Sequence, residues 1–173
     1  MIILFIFTSL FIHRPNLPRL WFSLGCIHAH SHTSSSLHDL QKALRAWSHG
    51  MQCDHALDMK EGRMCALQFC SYHSEDERAL SIQWGEKWLM ASLQAKDQLL
   101  LQPQGMNVVQ FILHWYEEKQ QYRQGISICN QLISNYPNEV MIEEVSGMWI
   151  NRYEKALEVE ESRDSSISMD CSD

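Results

Sequence analysis

The sequence predicts an all-α fold: a short antiparallel array of helical hairpins, about seven helices, closed by a terminal amphipathic capping helix. Three observations carry this expectation. Apolar residues recur at alternating steps of three and four along most of the chain, the spacing of one buried helix face. Trp88, Ala91 and Pro103 recur as Tyr122, Gly125 and Pro137, each pair 34 residues apart, and repetition near this period marks hairpin arrays. No segment has the alternation or the β-branched richness that a strand requires.

The first expected helix opens at Ser36, whose hydroxyl stands three residues before Asp39 in a capping-box spacing. Leu37, Leu40, Leu44, Trp47 and Met51 then form one stripe running to about Gly50. A second helix is expected from Asp54 to about Tyr72, with Ala56, Met64, Leu67 and Cys70 inward, although Gly62 costs it about 1 kcal/mol relative to alanine. Ser74 and Glu77 form another capping box, starting a short helix through Ile82 and Trp84 that Gly85 should break. The following helix carries Trp88, Ala91, Ala95 and Leu99, and Pro103 with Gly105 should end it. Asn107 can cap the next, which buries Val108, Phe111, Ile112 and Trp115. Beyond Gln120 and Gln121, its partner is lined by Tyr122, Ile126, Cys129, Leu132 and Ile133, and Pro137 closes that hairpin. The last helix sets Met141, Val145, Met148, Arg152 and Ala156 along one side, with Ile142, Trp149 and Tyr153 beside them. Glu143, Glu144, Glu154, Lys155 and Glu158 form its charged face, the asymmetry that lets a terminal helix stop an array from stacking further.

Residues 1–36 are expected to be an apolar, His-rich leader outside the fold, residues 37–160 the helical domain, and residues 161–173 an acidic, Ser-rich disordered tail. Met1 to Ile12 is almost wholly apolar but too short to span a bilayer, which takes about 20 residues. It lacks a preceding positive charge and a clean cleavage site. With 14 basic and 21 acidic residues the net charge is −7, and no cluster of Lys and Arg offers a groove for phosphates, so nucleic acid is not an expected partner. The six cysteines read as reduced thiols in a cytoplasmic protein.

Residues 106–139 resemble a tetratricopeptide repeat. Tyr122-Arg-Gln-Gly125-Ile126, then Leu132-Ile133 and Pro137-Asn138, fit that repeat's second helix, and Tyr116 stands where its first helix presents an aromatic. A shortened copy covers about residues 72–105, and a faint one has Trp47 and Ala56 at the spacing of Tyr116 and Gly125. The resemblance implies a binding face built from the first helix of each hairpin, cradling a peptide or a partner helix. By position that face would hold His38, Gln41 and Arg45, then His73 and Asp76, then Asn107, Gln110, His114 and Glu117. A clamp for a terminal carboxylate would need Lys and Asn there, and only Asn107 and Arg45 approach that pattern.

No catalytic constellation is present: there is no Gly-x-Ser-x-Gly, no glycine-rich phosphate loop and no His-Glu-x-x-His. Cys26, His28, His30 and His32 alternate in a way that could chelate Zn²⁺ or Cu²⁺ on an extended segment, and His49, Cys53 and His55 form a looser cluster. Neither is assigned a metal, and no cofactor is expected. The expected function is therefore a non-enzymatic interaction module, a scaffold or adaptor, with partner-binding residues His73, Asp76, Asn107, Gln110, His114 and Glu117. A membrane-associated or secreted helical protein directed by residues 1–12 is one alternative. A plain helical bundle serving as a subunit of a larger complex is another.

Overall fold

The structure is a computed structural model that describes residues 17–30, 37–71 and 78–169. Among these residues there are seven α-helices, two short 3₁₀ turns and no strand. The helices are α1 (Pro18–Ala29), α2 (Leu37–Met51), α3 (Lys60–Ser71), α4 (Arg78–Ala95), α5 (Pro103–Glu118), α6 (Tyr122–Asn135) and α7 (Val140–Met169). The 3₁₀ turns, Ala56–Asp58 and Gln98–Leu101, stand immediately before α3 and α5.

Each helix packs on the next in sequence, from α1 on α2 through to α6 on α7 where both ends are described. Contacts between alternate helices sort them into two layers. The first row is α1 on α3 and α3 on α5, and α4 on α6 lies in the second. The chain thus forms hairpins α1/α2, α3/α4 and α5/α6, and α7 begins what would be a fourth. Their first helices start at Pro18, Lys60, Pro103 and Val140, steps of 42, 43 and 37 residues.

That period is not the 34 residues of the sequence echo, and the echo pairs positions with different roles. Trp88 lies deep inside α4, whereas Tyr122 is the first residue of α6. Pro103 opens α5, while Pro137 sits in the turn between α6 and α7. At Pro103 the missing N–H falls where a helix has no use for it, so this proline starts a helix instead of ending one. Asn107 is consequently inside α5 and does not cap it; the N-cap is Gln102.

Two helices stop without glycine or proline. Lys96 and Gln120 adopt left-handed backbone conformations, with φ of 48° and 54°. Behind them Asp97 N–H donates to the Ser92 carbonyl at 2.9 Å, and Gln121 N–H to that of Tyr116 at 2.8 Å. This is the Schellman arrangement, which satisfies carbonyls the helix end would leave unpaired. Gly85 breaks nothing: α4 runs through it, and the space above it is taken by Ile112 and Val108 of α5.

The core runs through every layer contact. Trp47, Trp88, Leu89, Leu100, Ile112, Leu113, Leu132 and Tyr153 are all fully buried. Trp84, expected at the end of a short helix that Gly85 breaks, is buried because α4 continues past it. Met64, expected inward, is 42% exposed, since Cys65, Ala66 and Phe69 take the inner positions of α3. Residues 18–29, expected outside the fold, form α1 and place Phe22 in the core, a burial contributing about 1.5–3 kcal/mol. At the other end α7 carries its backbone helix past residue 161 to Met169. The Ser36 cap and the Ser74–Glu77 capping box lie outside the described residues.

A buried ion pair ties the second hairpin together. Arg63 Nε of α3 donates to Asp97 Oδ2 at 2.6 Å, and Arg63 also reaches the carbonyls of Leu57 and Asp58. Asp97 accepts from Leu99 N–H, capping the second 3₁₀ turn, while the Tyr136 hydroxyl donates to the Asp97 carbonyl at 3.0 Å. The network joins α3, the end of α4 and the end of α6, with its charges satisfied as burial demands.

Candidate functional site

α5 is amphipathic because Val108, Val109, Ile112, Leu113 and Tyr116 turn inward at helical spacing. This leaves Asn107, Gln110, His114 and Glu117 on one outward strip, three or four residues apart. Asn107 and His114 are exposed, and Gln110 and Glu117 are half-buried. Behind the strip, the Tyr116 hydroxyl donates to Glu86 of α4 at 2.6 Å, and burial together with that carboxylate keeps the phenol protonated.

α7 lies alongside this strip. The Tyr153 hydroxyl donates to the Leu113 carbonyl at 2.5 Å. The His114 ring stands edge-on to Trp149 with centroids 4.6 Å apart. Arg152 bonds Glu117 and lies over the Trp149 ring, 5.1 Å from its centroid. Two residues of the expected site are thus partly engaged by α7.

The buried seam of α7 is Ile142, Ser146, Trp149 and Tyr153. The stripe expected beside these residues is turned partly outward: Met141 is 39% and Met148 55% exposed, while Val145 stays half-buried against the core. Both stripes have the spacing of a helix face, and the aromatic one wins the core because Trp149 and Tyr153 bury more apolar area. Tyr153 fills the space over Gly125, where a Cβ would overlap its ring. The close approach that Gly125 permits is therefore between α6 and α7. Of the two apolar rows read on α7, the aromatic one is the core seam and the methionine row is left at the surface.

His73 and Asp76 lie outside the described residues, as does His32. Gln41 and Arg45 belong to α2, which is the second helix of the first hairpin. They line a small pocket with Leu44, Ser48, Phe69 and Leu80 of α2, α3 and α4, in the opposite layer from Asn107. The two residues nearest to a carboxylate clamp are thus on different layers.

The histidine-rich segment is helical up to Ala29, so Cys26, His28 and His30 are not aligned as they would be on a strand. His30 Nδ1 lies 2.9 Å from the Cys26 carbonyl oxygen. In the looser cluster, His55 pairs with Asp58 at 2.8 Å, His49 stacks near Trp21, and the Cys53 thiol donates to the His49 carbonyl. No three potential ligands converge among the described residues. Nor is any described helix long and apolar enough to cross a membrane.

Compared with known proteins, the chain matches no family model, no curated protein and no solved structure.

Proposed function

We propose that this chain is a non-enzymatic helical-array binding module, a scaffold or adaptor of tetratricopeptide-like construction. In this reading its ligand lies along the face shared by α5 and α7. The observation that carries the reading is the pair of outward methionines of α7, Met141 and Met148, on the helix that meets His114 and Glu117 of α5. Exposed methionines adapt to the shape of an apolar ligand, and the polar strip supplies hydrogen bonds that fix its direction.

The order of helices and their two layers support the kinship with tetratricopeptide arrays. The 42- and 43-residue steps are longer than that family's 34. Glu144 stands three residues after Met141 and four before Met148, at the edge of the row. The ligand is an amphipathic helix or extended segment of another protein, with apolar anchors and a basic residue opposite Glu144. The proposed setting is the cytoplasm, where cysteines stay reduced.

The test is affinity capture from cells with the intact chain and with Met141→Glu/Met148→Glu, read by mass spectrometry. A set of proteins lost from the double variant, at unchanged helicity, supports the site. Identical captured sets would overturn it.

A further inference from the structure

A second concave feature lies far from the α5/α7 face. Between α1 and α3 runs a groove of about 470 Å³, lined by Phe22, Cys26 and Ile27 on one side and Met64, Cys65 and Gln68 on the other. Two cysteines meet there across helices that the chain separates by the whole of α2. Cys26 from α1 and Cys65 from α3 line the same groove, and their side chains interact there.

Their environments are unequal. The Cys65 side chain is the largest influence on Cys26 and lowers its pKa, with the Trp47 indole and His30 acting in the same direction against burial. Cys65 is pushed the other way by the same interaction and by burial. One sulfur is thus set as nucleophile and the other as proton donor, the division of labour of a reacting thiol and a resolving thiol. The remaining described cysteines are poor competitors. Burial pushes Cys70 and Cys129 up to about 12, and burial and Asp54 raise Cys53.

We propose that Cys26 and Cys65 are a dithiol modification site, which a hydroperoxide entering the groove converts to a disulfide tying α1 to α3. In the first step the Cys26 thiolate attacks the hydroperoxide's terminal oxygen and the O–O bond breaks. Cys26 becomes a sulfenic acid, and the departing oxyanion takes a proton from water to leave as alcohol, or as water from hydrogen peroxide. In the second step the Cys65 sulfur attacks the Cys26 sulfur. The S–S bond forms, the S–O bond breaks, and hydroxide leaves with the Cys65 proton as water. Two thiols are oxidised by two electrons and one hydroperoxide is reduced; a small-molecule thiol reverses the change by exchange. The product joins the first hairpin to the second, constraining the unfolded chain as well as the folded one.

The test uses the reduced full-length chain and one equivalent of hydrogen peroxide, followed by peptide mapping without reductant. The expected result is loss of two hydrogen atoms in mass and one linked peptide pair containing Cys26 and Cys65, abolished by dithiothreitol. In Cys65→Ser the link is lost, and Cys26 is trapped instead as a sulfenic acid by dimedone. A wild-type chain in which Cys26 stays reduced, stops at a sulfenic acid, or links to Cys53 or Cys171 would overturn the proposal.

Discussion

Gly62 and Gly105 hold the same place in successive hairpins. Each is the third residue of its helix, α3 or α5, and each lies against a backbone carbonyl six residues earlier, that of Ala56 or of Leu99. In both hairpins a 3₁₀ turn folds back over the first turn of the helix, and only a residue without a Cβ lets it come so close. This is the internal repeat of the molecule, with a step of 43 residues between Gly62 and Gly105. The cost of glycine to helix propensity is offset by the packing it permits.

Gly62→Ala and Gly105→Ala should each destabilise the fold by roughly 1–3 kcal/mol or more, since the added methyl meets a backbone carbonyl that cannot step aside. Gly147→Ala is the control. It lies in α7 with nothing near the position of a Cβ, so alanine should stabilise by about 0.5–1 kcal/mol. Urea denaturation followed by circular dichroism measures all three. Equal effects at the three positions would contradict the close-approach account.

Arg63→Met should cost about 3–5 kcal/mol, because it leaves the Asp97 carboxylate buried without its cation. Replacing both partners with apolar residues should recover part of the loss, because no unpaired charge then remains. A double-mutant cycle on unfolding free energies checks the coupling.

Tyr153→Phe keeps the ring over Gly125 but removes the hydroxyl that reaches the Leu113 carbonyl. The expected loss is about 1 kcal/mol. Tyr153→Ala should cost about 3–5 kcal/mol by emptying the space between α6 and α7. The ratio of the two, measured by thermal or urea unfolding, separates hydrogen bond from packing.

Stability should fall at alkaline pH through Cys70 and Cys129. Their thiols ionise near pH 9.0 when unfolded but only near pH 12 when folded. Between those values the unfolded chain has lost protons that the folded chain still holds. Raising the pH therefore favours unfolding, by up to about 1.4 kcal/mol per pH unit for each thiol. The contribution is fully present below pH 9.0 and is lost as the pH rises toward the folded pKa. Unfolding free energies measured across this range should decline less steeply in Cys70→Ala/Cys129→Ala than in the parent chain.

Much of the helix content was legible because burial writes itself into spacing. The stripe Leu40, Leu44, Trp47 and Met51 marked α2, and Ile126, Cys129, Leu132 and Ile133 marked α6, with the turn at Gln120 between the last two helices of a hairpin. Helix ends were harder. Lys96 stops α4 in a left-handed conformation that carries no composition signal, while Pro103 and Gly105 have the composition of a stop and yet begin α5. Of the candidate site, Asn107, Gln110, His114 and Glu117 fall on one strip as spacing requires. Their neighbours on α7 did not follow from spacing, because Met141, Val145 and Met148 have the same periodicity as a buried face.

By itself the sequence determined that the chain is helical, roughly where the helices lie and which single face of α2 and α6 turns inward. Those properties depend on residues three and four apart, which local geometry brings together in any context. On α5 the inward face is turned toward Val109, Leu113 and Tyr116, with Phe111 and Trp115 only half-buried. Only the tertiary structure decided that α1 joins the first hairpin, that the working repeat is the one shared by Gly62 and Gly105, and that Cys26 meets Cys65. It also chose between the two apolar stripes of α7. That choice depends on whether Tyr153 can lie over Gly125, a contact between helices that neither helix's own spacing contains.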